Sequence, residues 1–189
     1  KYVLIINLIS AYGMLLSFPV QGYGLVSISF STLSVFTFYL FTVRIWKDFN
    51  KISDDILPIY WFKAALLFGV LSSFGTFGLA YMMANKMAHQ NYYLAAVYFY
   101  LHFQYNGFFF FSCMGLFHTF LPKEIKPNKE FKVVFWLFLL AVVPAYFLSA
   151  LWAKLPVWIY IITVIAAVVQ VIVWVKFLKN IKRFLPQIK

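Results

Sequence analysis

Charge is absent from most of this chain: no Asp, Glu, Lys or Arg occurs between Lys1 and Arg44, Lys63 and Lys86, Lys86 and Lys123, Lys132 and Lys154, or Lys154 and Lys176. A helix needs about 20 apolar residues to cross about 30 Å of hydrocarbon, and each of these uncharged runs is long enough. Soluble domains carry about 25% charged residues; here the figure is 11%, with 64% hydrophobic residues. That composition excludes a water-soluble globular domain. It excludes disorder too, which requires a polar chain with little to bury. The fold class read from it is all-α, a polytopic transmembrane helix bundle.

Six spans are predicted, at about 2–18, 25–43, 58–83, 91–120, 131–152 and 156–175. Pro19 is expected to close the first, and the uncharged turn after it makes a tight hairpin with the second. Pro144 is expected to kink the fifth. No internal repeat is present and the polar loops are too short to be domains. Residues 1–189 are therefore read as a single transmembrane helical domain. The chain opens at Lys1 without an initiator methionine, which reads as a segment of a longer protein. One cysteine, Cys113, leaves no intramolecular disulfide to form.

Lysine and arginine concentrate in cytoplasmic loops. Alternating the spans puts Lys1, the 44–63 group, the 123–132 group and the 176–189 group on one side, and only Lys86 and Lys154 on the other. Both ends of the segment are accordingly assigned to the cytoplasm, in a cell inner (cytoplasmic) membrane. The net charge of +11 follows from this topology, so a nucleic-acid partner is not inferred; the expected partners are the lipid bilayer and further membrane subunits. Trp46, Trp61, Trp152 and Trp158 fall near span ends, where an aromatic belt is expected.

Polar side chains at mid-depth are costly in hydrocarbon and are the default functional candidates. The fourth span holds the main set. His102 lies about 16 Å from its outer end, and on an α-helix Tyr98, His102, Tyr105 and Asn106 fall on one face that continues through Phe109 to Cys113. Such a histidine suits a haem or metal ligand, or a proton relay. It equally suits a hydrogen-bonded contact between helices. His118 is about 24 Å further along, so the two cannot share a site. Met82, Met83, Met87 and His89 form a second constellation, soft enough for Cu(I), although methionines also pack adaptably at helix ends. Ser27, Ser31 and Ser34, with Gly69, Ser72, Ser73, Thr76 and Ala80, read as small-residue seams. Gln170 reads as an isolated packing contact.

The stretch Tyr98 to Gly107, Tyr-Phe-Tyr-Leu-His-Phe-Gln-Tyr-Asn-Gly, resembles the ligand-bearing sixth helix of haem–copper oxidase and nitric oxide reductase catalytic subunits. The resemblance implies a bundle of about twelve helices in the whole protein and a role in electron transfer or in oxygen or nitric oxide binding. It also implies haem as a cofactor, with His102 as a metal-site or haem-region ligand and the remaining ligands outside this segment. The chain departs from that pattern in two places. The fifth span has no histidine pair to complete a copper site, and Asn106 stands where a carboxylate is found in the reductases. A degenerate, non-catalytic member of that group would account for both. The alternatives are a membrane assembly or interaction protein, in which His102, Tyr105 and Asn106 knit helices together without a cofactor, and a transporter, which needs a cavity at the fourth span.

Overall fold

The structure, a computed structural model, describes residues 1–52, 56–87, 89–121 and 129–184. In chain order it contains α1 (Tyr2–Gln21), α2 (Leu25–Phe49), α3 (Leu57–Ala84), α4 (Gln90–His102), a π-helical segment (Phe103–Phe109), α5 (Phe110–Phe120), α6 (Lys129–Ala145), a 3-10 helix (Tyr146–Ala150) and α7 (Val157–Phe184). No strand occurs among the described residues. By length and composition, α1, α2, α3, α6 with its 3-10 extension, and α7 can each cross a membrane. The fourth predicted span is α4, the π segment and α5 end to end, an unbroken helix over residues 90–120. The architecture is an all-α membrane protein. Contacts divide it into two compact units, Lys1–Ser53 and Asp54–Lys189.

The first unit is the α1–α2 hairpin, and its burial pattern is the reverse of a soluble protein's. Its buried side chains are Ser10, Ser27, Thr37 and Thr42, while Leu4, Leu16, Val20 and Leu25 are more than 70% exposed. Small polar residues inside and large apolar ones outside make sense when the surroundings are hydrocarbon. The hydroxyls of Ser10 and Thr37 donate to the carbonyls of Ile6 and Leu33 on their own helices, so they bring no unpaired group into the interior. α1 does not stop at Pro19 as expected but continues to Gln21. The helix runs past Pro19 even though proline cannot donate the N–H that would bond the Leu15 carbonyl, and Gly22, with φ +58°, ends it instead.

The second unit is built from α3 to α7 around an aromatic core that includes Trp61, Phe68, Phe103, Phe111, Phe135 and Phe138. Trp61 is fully buried, against Phe111 and Phe135 at 5.2 and 5.0 Å. It is a core anchor, not the belt residue its position near a span end suggested. α3 lies directly against the fourth span because glycines remove side chains from the contact. A Cβ added at Gly75 would sit 2.6 Å from the Ala96 carbonyl oxygen, and one at Gly107 would sit 2.5 Å from the Phe68 Cβ. Just after Pro144, where a kink was expected, α6 ends at Ala145 and the chain continues as the 3-10 helix from Tyr146.

Candidate functional site

The predicted face of the fourth span is rearranged by its π segment. In π geometry each N–H bonds five residues back, and the wider turn shifts side-chain directions relative to an α-helix. His102, the last residue of α4, points inward and is 6% exposed. Tyr105 does not share its face: it is 61% exposed and stacks on Phe109 at 5.8 Å, along the outward stripe that also carries exposed Cys113. Tyr98 leans toward Trp152, with ring centroids 6.3 Å apart. Of the predicted four, Asn106 is the one that hydrogen-bonds to His102. A wider turn here serves two demands at once: Gly107 is drawn onto Phe68 of α3, while His102 and Asn106 remain directed toward α6.

The hydrogen bonds of His102 define its chemistry. Nε2 lies 2.8 Å from the Val142 carbonyl oxygen on α6; a carbonyl only accepts, so Nε2 carries the proton. In the neutral ring Nδ1 is then an acceptor, and the Asn106 amide donates to it from 3.2 Å. Both ring nitrogens are engaged by protein groups. Beside the ring, Tyr146 donates to the Ala95 carbonyl oxygen at 3.0 Å, and the Ser72 hydroxyl on α3 shares its proton between the Gly69 carbonyl oxygen at 2.7 Å and the Gln104 side-chain oxygen at 2.9 Å. These bonds tie the middle of the fourth span to three neighbours.

A cavity of about 440 Å³ opens against this histidine. His102, Asn106, Ser149 and Gln170 supply its polar lining; Phe110, Phe111, Phe138 and Trp174 supply an aromatic wall. The fourth span, α6 with its 3-10 extension, and α7 thus meet at one place. Gln170 and Trp174 are one turn apart on α7 and project onto the same surface. The lining contains no Asp, Glu, Lys or Arg, so the pocket is polar without charge.

The other predicted positions do not converge. His118 is buried on the far side of the π segment, donating from Nδ1 to the Met114 carbonyl oxygen at 2.7 Å and stacking on Trp61 at 5.5 Å. His89 lies against Tyr92 at 4.4 Å. Met82 is buried while Met87 is 44% exposed, so the thioether constellation does not form one face. Among the described residues no group of three or more His, Cys, Asp or Glu side chains could hold a metal ion. With Nε2 protonated toward Val142 and Nδ1 taken by Asn106, His102 as arranged does not fit a haem or copper ligand.

Ser149, Gln170 and Trp174 are the site residues that reading the sequence missed. Gln170 did carry a signal, since it is an amide in the middle of an otherwise apolar helix. Its meeting with His102 depends on helix packing. No protein-family model, curated protein or solved structure matches the chain.

Proposed function

We propose that this protein binds a small uncharged molecule in the pocket between the fourth span, α6 and α7. The supporting observation is the lining itself: among the described residues Asn106, Ser149 and Gln170 have side-chain hydrogen-bonding capacity left over, and all three line one cavity beside the fourth span, α6 and α7. Polar groups left without partners in hydrocarbon are costly, and an occupant with matching polar groups offsets that cost. Native mass spectrometry of the protein released from its own membrane tests this. Wild type should carry an added mass, and Leu148→Trp, which fills the pocket at an exposed lining position, should lose it. A wild type without added mass, together with an Asn106→Leu/Gln170→Leu variant no less stable than wild type, would sink the idea.

The oxidase-like reading is a second proposal, favoured by one observation: the cavity lies on the side of Asn106, the group that covers Nδ1. It requires Asn106 to turn away and release that nitrogen. The test is a reduced-minus-oxidised optical spectrum with iron and copper content. A haem band abolished by His102→Ala supports it; a colourless, metal-free protein counts against it.

The distribution of charge supports an orientation in which Lys179 faces the cytoplasm and Lys86 the opposite side of an inner membrane. Single cysteines at these positions, in a Cys113→Ser background, should label from opposite sides of sealed vesicles. Labelling from one side would reverse the assignment of a span.

A further inference from the structure

The geometry points to a neutral ring molecule bearing a hydroxyl or N–H group, a phenol or indole by class, as the occupant of the pocket. This rests on the binding reading above and deepens it. The Val142 carbonyl holds the proton of His102 on Nε2. That leaves Nδ1 a bare acceptor, which turns the NH2 of Asn106 toward the ring. The amide oxygen lies on the other branch of the same planar group, so it is directed away from the histidine. Among the described residues it accepts no hydrogen bond, and Asn106 lines the cavity. One fixed tautomer therefore presets a free acceptor on a residue of the pocket lining, and a ligand that pairs with it must bring a donor.

Charge and shape narrow the class further. No charged side chain lines the pocket, so an ion would enter without compensation at a depth where charge is most costly. Phe110, Phe138 and Trp174 touch one another edge to face, with centroids 5.0, 5.4 and 5.9 Å apart. A flat ring placed against such a wall gains the same edge and face contacts. A volume of about 440 Å³ lies within the range of small-molecule pockets, about 300–1,000 Å³, and leaves room for a fused two-ring compound.

The test uses two fluorescent probes that differ only in the donor, 2-naphthol and its methyl ether 2-methoxynaphthalene, with the full chain in nanodiscs and empty nanodiscs subtracted. The expected result is saturable binding of 2-naphthol, with the ether at least about tenfold weaker because it leaves the Asn106 oxygen unpaired. This comparison is made on the wild type and does not depend on any variant folding. Asn106→Leu should bring the two affinities together, and Leu148→Trp should weaken both. Equal binding of both probes, blocked by Leu148→Trp, would overturn the donor requirement while leaving the pocket reading intact. Saturable binding of neither probe would overturn the ring-donor class, while the native mass measurement decides separately whether the pocket is occupied at all.

Discussion

Gly75→Ala tests the closeness of α3 to the fourth span. The new methyl carbon would stand 2.6 Å from the Ala96 carbonyl oxygen and 2.7 Å from the Tyr100 nitrogen, both backbone atoms of α4 that cannot rotate aside. Normal carbon–oxygen contacts are near about 3.4 Å, so the helices must separate by about 0.8 Å. A gap of that size forfeits roughly a quarter to a half of each contact across it. It also stretches the Ser72–Gln104 hydrogen bond, now 2.9 Å, beyond useful length. Overpacking of this kind costs about 1–3 kcal/mol. Gly78→Ala is the internal control, because its Cβ would meet only the Ala96 Cβ at an ordinary 3.7 Å. The helix preference for alanine over glycine, about 1 kcal/mol, is gained by both variants and cancels between them. In equilibrium unfolding in mixed micelles, followed by tryptophan fluorescence, Gly75→Ala should be less stable than Gly78→Ala by about 1–3 kcal/mol. Equal stabilities would refute the close approach.

Tyr146→Phe keeps the ring and removes the hydroxyl that donates to Ala95; the same unfolding assay should show a loss of about 0.6–1.7 kcal/mol, and no loss would mean that bond holds nothing. Cys113 lies on the outward Tyr105–Phe109 side. A charged, membrane-impermeant thiol reagent should leave it unmodified in sealed vesicles, while a neutral maleimide labels it in detergent; modification by the charged reagent would show water at that face. The Arg183–Glu130 pair is 3.9 Å long with side chains 71% and 40% exposed, so Arg183→Ala should shift stability by less than about 0.5 kcal/mol. A larger loss would point to a partner for Arg183 beyond Glu130.

Much of the architecture was legible because hydrocarbon imposes a one-dimensional rule: a segment either is apolar for long enough to cross or it is not. Spans and hairpin followed from runs and breakers alone. The ends of α2 and α7 were read short, at 43 and 175 against Phe49 and Phe184, because a helix that leaves the membrane continues with basic residues that no apolarity scale extends. Trp61 was misplaced for a related reason. An indole near a span end looks the same in sequence whether it faces headgroups or is covered by Phe111 and Phe135.

The site divides along the same line. The sequence by itself determined that His102 and Asn106 lie in the middle of an apolar helix and that Gln170 is a polar residue in another, because depth follows from counting residues at a constant rise. Only the tertiary structure decided which groups meet. The π segment turned Tyr105 outward, Val142 chose the histidine tautomer, and packing of α6 and α7 brought Ser149, Gln170 and Trp174 to the same pocket. Those outcomes depend on direction about the helix axis and on contacts between residues distant in the chain. A local pattern with a fixed period of 3.6 carries neither.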